Sequence, residues 1–220
     1  LGVARRDARI NLEERLELRE PAERDRVLKG AYAGFGQTML ELLTMPVISD
    51  VALKEEFVFE GMDALQAIHA SGRGIVCFSA HYGNWEWMGA ALVQNQLPVT
   101  FLIGTQSNPW VDRRFNQHRA SKGMKMTRIA DIRGALKALK GGGLVAILHD
   151  QDGDKWGTFV PFFGVQASTH SIGVMLARRS GSAIAYGVPV RQADGHSVMK
   201  IHILPDPPAE LNEAQATAWV

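Results

Sequence analysis

The chain has 220 residues, 46% of them hydrophobic and 21% charged, which is enough for one large domain with a substantial core. Its formal net charge of +1 gives no indication of a nucleic-acid partner, and we predict none. The single cysteine, Cys77, excludes an internal disulfide framework and fits a reducing compartment, and no apolar run approaches the ~20 residues of a membrane-spanning helix.

The first part of the chain, residues 1–45, is polar and has a helical period that is interrupted near Pro21. Within it, apolar residues recur at spacings of three or four and predict an amphipathic helix: Val27, Ala31, Phe35, Met39 and Leu42. We therefore predict an N-terminal helical segment over about residues 1–45, which precedes a region where strands and helices alternate.

From residue 46 onward, strand-like runs alternate with helical runs. The predicted strands are "EFVFEG", "IVCFSA", "PVTFLI", "MKMTRI", "LVAILHD", "TFVPFF", "AIAYGVPV" and "VMKIHIL". The predicted helices are "MDALQAIHA", residues 84–94, residues 109–120, "DIRGALKALK" and "STHSIGVMLARR". This alternation predicts an α/β fold with a largely parallel mixed sheet covered by helices on both faces, in a single domain over 1–220 with its core in 46–220.

Two polar side chains follow buried strands, where ligands bind in such sheets. His81 follows "IVCFSA" directly and Asp150 follows "LVAIL" after one residue. If a helix starts near Gly83, Glu86 lies in its first turn, where the helix dipole favours a carboxylate. Glu86 then accepts a hydrogen bond from one imidazole nitrogen and leaves the other free as a base. The alternative is that His81 caps the helix and Glu86 is an ordinary first-turn acid.

Sequence patterns of other reaction types are missing from the chain. It has no G-x-S-x-G, H-E-x-x-H, paired C-x-x-C, Walker A or dinucleotide fingerprint. The run "DQDGD" fails as a calcium loop, because Gly153 is out of register and Pro161 stands at the twelfth position. We therefore predict no cofactor or metal site, and a base that activates a substrate hydroxyl or water.

Three stretches carry a resemblance to a known family: "HYGNWE", "SNPWVDRRFNQHRASKG", and "LKALKGGGLVAILHDQDGDKWGTFVPFFGVQASTHSIGVMLARRSGSAI". In this order they resemble the bacterial late acyltransferases of lipid A biosynthesis, the lauroyl and myristoyl transferases, within the lysophospholipid acyltransferase superfamily. The resemblance runs from about Ala4 to the last residue and implies a glycerolipid acyltransferase-like fold. Members of that family continue beyond both ends and carry an N-terminal membrane anchor, so we expect this chain to be truncated at both ends.

The resemblance implies roles for four residues. His81 and Glu86 match the family's H-x4-(D/E) dyad, Arg119 matches the arginine after its N-P element, and Asp150 opens "DQD". His81 would remove the proton of an acceptor hydroxyl while Glu86 holds the imidazole, and Arg119 would stabilise the oxyanion of an attacked acyl thioester. Asp150 would orient Arg119 or the acceptor. The alternatives are a surface arginine and a structural aspartate. One departure is His149, which replaces a proline common before "DQD".

Peripheral features extend this prediction. Phe159, Phe162 and Phe163 line an acyl slot or, with their period of two, belong to the core. Trp156 lies in an exposed loop that could enter a bilayer interface. A helical stripe of three cations would dock an acidic carrier protein or an anionic membrane, or else be a solvated face: Arg133, Lys137 and Lys140.

The resemblance implies acyl-acyl carrier protein or acyl-CoA as donor, a lipid A precursor or related glycolipid as acceptor, and work at the cytoplasmic face of the bacterial inner membrane. Two other readings stay open. One is an acyl-CoA-dependent acyltransferase of another membrane glycolipid or of a lysophospholipid. The other is a catalytically silent lipid- or carrier-binding relative, which the intact dyad disfavours.

Overall fold

The computed structural model describes residues 5–220. The helices are α1 (Arg5–Glu14), α2 (Pro21–Thr44), α3 (Asp50–Glu56), α4 (Met62–Ala70), α5 (Trp85–Val93), α6 (Pro109–Ala120), α7 (Ile132–Lys140), α8 (Ile172–Ser180) and α9 (Glu213–Trp219). The strands are β1 (Phe57–Glu60), β2 (Ile75–Ser79), β3 (Val99–Ile103), β4 (Lys125–Arg128), β5 (Leu144–Leu148), β6 (Thr158–Phe162), β7 (Val165–Thr169), β8 (Ala183–Tyr186), β9 (Pro189–Arg191), β10 (Ser197–Lys200) and β11 (His202–Leu204).

The main sheet has six strands in the order β11-β8-β2-β5-β3-β4. All its pairings are parallel except that of β11 with β8, which is antiparallel. The predicted largely parallel mixed sheet is therefore confirmed. Since β2 and β5 are central neighbours with Ser79 opposite Leu148, the residues that follow both strands emerge side by side at one edge of the sheet.

Helices cover both faces of this sheet, as predicted, and bury two apolar clusters. Alternate residues of each strand enter opposite clusters, as the pleat of a strand requires. One cluster takes Ile75 and Cys77 of β2 and packs against helices α2 to α6. The other takes Val76 and Phe78 and packs against α7, α8 and α9. Both faces of β2 are thus buried, which explains its uninterrupted apolar sequence.

The predicted break near Pro21 is confirmed, because α2 begins at this residue. A proline suits the first helical position, where its missing N–H has no helical partner in any case. The Glu20 side chain caps the helix by accepting a hydrogen bond from the Ala22 N–H. No helix within residues 5–220 is long and apolar enough to cross a membrane.

The prediction that each of the last two strands is continuous is wrong. Each of them splits into two strands, and the halves join different sheets: β8 and β11 the main sheet, β9 and β10 a three-stranded sheet with β1. The chain bends at Gly187, where a Cβ would lie 2.6 Å from Met199 Cε and 2.9 Å from the Lys200 carbonyl oxygen. This close approach of two segments explains the glycine.

The predicted helix "STHSIGVMLARR" is wrong in its first four residues. Ser168 and Thr169 belong to β7, which pairs with β6 in an antiparallel hairpin, and α8 begins only at Ile172. The two-residue connection is Phe163-Gly164, and both have positive φ, +47° and +75°. Positive φ at both central positions is the hallmark of a type I′ turn, which matches the twist of paired strands.

Candidate active site

His81 and Asp150 meet at the carboxyl edge of the main sheet. The ring Nδ1 of His81 lies 2.8 Å from Asp150 Oδ1, and the backbone N–H of His81 donates to Oδ2 at 2.9 Å. An ionised carboxylate only accepts hydrogen bonds, so Nδ1 carries the proton and Nε2 keeps a free lone pair. Asp150 thereby fixes both the tautomer of the imidazole and the position of its backbone.

The charge of Asp150 is stabilised by this arrangement. Burial raises the pKa of its carboxyl group, but the side-chain and backbone hydrogen bonds from His81 outweigh that effect, and the pKa lies below its ordinary value. Asp150 therefore stays ionised at neutral pH, as the orienting partner of a histidine base must.

Glu86 does not hold the imidazole, which corrects the expectation for the dyad. It does lie in the first turn of α5 as expected, but its two carboxylate oxygens accept from Arg119, Oε2 from Nε at 2.9 Å and Oε1 from Nη2 at 2.5 Å. Within the described residues no hydrogen bond joins Glu86 to His81. Glu86 is 5% exposed, and a carboxylate so buried needs a cation, which the planar guanidinium supplies in bidentate geometry.

Arg119 is therefore not the surface arginine of the alternative reading. Its side chain is 12% exposed, and Nη1 also donates to Asn116 Oδ1 at 3.3 Å. Asp150 does not contact this guanidinium through any hydrogen bond in the described part of the chain. The four predicted site residues form two pairs, His81 with Asp150 and Glu86 with Arg119, rather than one chain.

The segment between His81 and α5 is held from the side of α2. The α5 cap is Asn84, whose Oδ1 accepts from the Trp87 N–H at 2.9 Å, so His81 is not the cap.

Gly83 has φ +58°, and a Cβ there would lie 2.2 Å from the Pro189 carbonyl oxygen. Glu41 of α2 accepts from Asn84 Nδ2 at 2.6 Å and from Arg191 at 2.8 Å. These contacts explain Gly and Asn in "HYGNWE".

The two tryptophans of this motif are two residues apart on α5, and their side chains point in different directions. The Trp85 ring packs edge-on against the His81 imidazole, with 5.0 Å between centroids. Trp87 turns away, and its Nε1 donates to the Glu41 carbonyl oxygen at 2.8 Å. Trp85 thus limits the orientations that the imidazole can adopt.

A cavity of about 850 Å³ adjoins Asp150. It lies between the ends of β2 and β5, the β6–β7 hairpin and α9, and its lining includes the acidic side chains of Asp150, Asp152 and Asp154 together with apolar groups. Phe159 and Phe162 line it and are 68% and 59% exposed, so the core alternative is wrong for them. Phe163 lies outside this lining and packs its ring on Phe162, with 4.6 Å between centroids.

The predicted peripheral residues are all at the surface. Arg133, Lys137 and Lys140 are exposed on α7, whose other side buries Ala135 and Leu139. Trp156 is 80% exposed, and the Lys155 Nζ lies 5.3 Å from its ring centroid.

Sequence reasoning missed Ser79 and Glu41 as residues of the site. Ser79 lines the large cavity two residues before His81, but it is buried at the end of β2 and looks like an ordinary strand residue in the sequence. Glu41 lies 40 residues before His81 on α2, and no local pattern connects it with the site. Its only signal is that it is the single charged residue between Gly30 and Ser49.

A histidine oriented by an aspartate, beside a partly apolar cavity at the carboxyl edge of a mainly parallel sheet, defines an α/β protein suited to base catalysis. A sequence profile of the bacterial lipid A biosynthesis acyltransferases matches residues 2–219. The chain belongs to this family.

Individual relatives agree with this assignment. The chain is 32% identical over 163 residues to the lipid A biosynthesis lauroyltransferase of Escherichia coli K12, covering 73% of this chain and 53% of that protein. It is 29% identical over 216 residues to the palmitoleoyltransferase of the same strain, covering 95% of this chain and 69% of the relative. A phosphatidylinositol mannoside acyltransferase of Mycolicibacterium smegmatis is 24% identical over 73% of this chain and 54% of its own length. The chain thus spans about half to two thirds of these relatives.

Proposed function

We propose that the chain transfers a fatty acyl group from an acyl thioester, carried by acyl carrier protein, to a hydroxyl of a lipid A precursor. The observation that carries this proposal is the His81 imidazole: its Nδ1 is hydrogen-bonded to Asp150, which lines the large cavity, and its Nε2 has no hydrogen-bond partner within residues 5–220. Family membership and the two lipid A relatives support the substrate class.

The chemistry follows from the geometry of His81. Nε2 removes the proton of the acceptor hydroxyl as its oxygen attacks the thioester carbonyl carbon. The carbonyl π electrons move to oxygen and return as the C–S bond breaks. The departing thiolate takes the proton from the imidazolium, so the histidine ends neutral and the products are an ester and a thiol. Asp150 stabilises the imidazolium between these steps.

Arg119 is the candidate that stabilises the negative charge on the carbonyl oxygen. Its bidentate pair with Glu86 fixes the plane of the guanidinium and leaves N–H groups beyond the three hydrogen bonds already described. Glu86 then acts on the reaction through Arg119, as a positioning residue, rather than through His81.

The acyl chain is proposed to lie in the cavity of about 850 Å³, with Phe159 and Phe162 as part of its wall. The carrier is proposed to dock on the cation stripe of α7, whose Arg133 end lies toward the carboxyl edge of the sheet. Acidic carriers are attracted by such a stripe before contact, which raises the rate of association.

We propose that a lipid bilayer covers the outward face of α2, as expected for work at the cytoplasmic face of the inner membrane. Between Gly30 and Ser49 the only charge is Glu41, and it points inward to Asn84 and Arg191. The outward side chains of α2 include Leu40 at 67% and Leu43 at 59% exposure, and Val47, just after the end of the helix, is 84% exposed. This apolar face is continuous with the site, because the Phe35 and Trp85 rings are in contact and Trp85 packs on His81.

Co-sedimentation with vesicles of anionic phospholipid tests this face. Leu40→Glu combined with Leu43→Glu should abolish binding, while Val58→Glu, at an apolar position that is 51% exposed on an edge strand, should leave it unchanged. If both variants bind vesicles equally well, the bilayer does not cover this face. The same conclusion follows if the wild type self-associates and only the Leu40/Leu43 variant fails to do so.

The transfer proposal is tested with purified protein, acyl donors and lipid acceptors in four combinations. The donors are acyl carrier protein and CoA thioesters of one acyl chain, and the acceptors are a lipid A precursor and a phosphatidylinositol mannoside. We expect esterification of the lipid A precursor from acyl carrier protein to be fastest. Preference for acyl-CoA and the mannoside would favour the other glycolipid reading, and binding of donor without any transfer or hydrolysis would identify a silent relative.

A further inference from the structure

Ser79 has an unusual hydroxyl. It is 4% exposed at the last position of β2, and its Oγ has no hydrogen-bond partner within residues 5–220. Among those residues only Ser197 Oγ shares this condition, and it belongs to β10 in the three-stranded sheet. A buried hydroxyl without a partner destabilises the fold, so its presence next to a site needs an explanation.

The backbone of Ser79 is fixed, so its side chain has a defined direction. Its carbonyl oxygen accepts from the His149 N–H at 2.9 Å, and in the strand register it faces Leu148. Alternation along β2 places its side chain on the same face as Ile75 and Cys77, which is the face that α5 covers. The hydroxyl therefore points toward the helix that carries Glu86.

Two cavities meet at Ser79. The large cavity that adjoins Asp150 includes Ser79 in its lining. So does a second, apolar cavity of about 60 Å³ that is bounded by Glu86 and Arg119. Ser79 thus borders both the space that we assign to the acyl chain and the space beside the guanidinium, two residues before the base.

We propose that Ser79 Oγ donates a hydrogen bond to the carbonyl oxygen of the bound acyl thioester, an inference that rests on the proposed acyl transfer. The oxygen gains negative charge when the acceptor hydroxyl attacks, and the neutral Ser79 donor and the cationic Arg119 stabilise it together. The serine proton stays on Oγ throughout, and no covalent bond forms to Ser79. The missing partner of the hydroxyl in the free protein is the substrate.

The test compares Ser79→Ala with a matched control, Ser197→Ala, which removes the other unpartnered hydroxyl. We expect Ser79→Ala to lower kcat by about 10²–10³, as for other single donors to an oxyanion, with little change of KM. Ser79→Thr keeps the hydroxyl, and the small cavity can take its extra methyl group, so it should retain most of the activity. Ser197→Ala should keep the wild-type kcat.

Thermal unfolding separates this role from a structural one. Removing a hydroxyl that has no partner should leave the Tm of both alanine variants unchanged or higher. A Ser79→Ala protein with kcat within about twofold of the wild type, with a raised KM alone, or with a lowered Tm would overturn the role of Ser79 while leaving acyl transfer intact. A wild-type protein that transfers no acyl group under any donor would instead overturn the proposed function and this inference together.

Discussion

At the residue scale, the main result is that Asp150 and Glu86 bind different partners from those that the sequence predicted. The sequence spacing H-x4-E suggested that Glu86 orients His81, but Asp150 does so from the neighbouring strand and Glu86 binds Arg119. Spacing along the chain identifies which residues reach the edge of the sheet. It does not decide which of them pair, because that depends on the register between β2 and β5.

Replacing Asp150 by asparagine tests this new pairing. The imidazole and the backbone N–H each donate to a different oxygen of Asp150, so in the same position asparagine places its NH2 donor opposite one of these two N–H groups. We therefore expect Asp150→Asn to lower kcat by about 10²–10⁴ with a smaller change of KM. Steady-state kinetics at saturating donor measure this, and Asp152→Asn, a neighbouring lining residue, is the control. Wild-type turnover by Asp150→Asn would mean that another group orients the His81 imidazole.

His149 predicts a specific pH dependence of stability. Burial lowers the pKa of this histidine and charge repulsion by His170 lowers it further, while the hydrogen bond to the His170 carbonyl oxygen at 2.5 Å and the charge of Asp150 act in the opposite direction. The unfolded chain then binds more protons than the folded one between the lowered pKa and about 6.5. The stabilisation is complete above about pH 6.5 and is lost as the pH falls toward the folded pKa.

Urea unfolding of wild type and His149→Gln between about pH 5 and pH 8 measures this effect. We expect the difference in unfolding free energy between them to be constant above about pH 6.5 and to shift against the wild type below it. A difference that does not depend on pH would mean that His149 keeps an ordinary pKa in the folded state.

At the scale of elements, the alternating strands and helices of the main sheet were predictable, but the segments that leave this sheet were not. The bounds of α6 agree with the prediction at both ends, because Asn108 caps it, Pro109 opens it and Gly123 follows its end. The β6–β7 hairpin was half missed, since its turn is formed by Phe163 with positive φ rather than by the usual Asn-Gly. The division of strands between two sheets at Gly187 depends on contacts with distant Met199, which no local pattern reveals.

The hairpin carries the wall of the proposed acyl site, which gives a prediction about chain length. Phe159→Ala combined with Phe162→Ala should raise the KM for long-chain donors and leave that for a short-chain thioester unchanged, because only a long chain reaches these rings. Phe163→Ala is the control, since its ring lies outside the cavity lining. Equal effects on long-chain and short-chain donors would place the acyl chain elsewhere.

Helix α7 gives a prediction about the carrier. Changing Arg133, Lys137 and Lys140 to glutamate should slow association with acyl carrier protein at low ionic strength, and the effect should fade as salt screens the charges. Transfer from a short, uncharged acyl thioester should not change. A control variant carries the same charge reversal at exposed lysines elsewhere: Lys29, Lys54 and Lys200. Identical on-rates for the α7 variant and the control would make this face ordinary solvated surface.

At the scale of the whole molecule, the proposed base lies between the two surfaces to which we assign its substrates. His81 lies at the carboxyl edge of the sheet, with the apolar face of α2 on one side through Trp85 and the large cavity on the other through Asp150. A lipid hydroxyl from a bilayer and an acyl chain in the cavity would reach the imidazole from different directions. This arrangement suits a base that joins two substrates without a covalent enzyme intermediate.

That His81 removes the proton of the acceptor hydroxyl is tested most directly by the turnover rate of His81→Ala, with an acyl carrier protein thioester as donor and a lipid A precursor as acceptor. We expect kcat to fall by about 10²–10⁴, the range of general base catalysis. The variant should keep the wild-type fold, because the side chain is 30% exposed at the edge of the sheet. A folded His81→Ala protein that transfers acyl groups at close to the wild-type rate would contradict the role of His81 as the base.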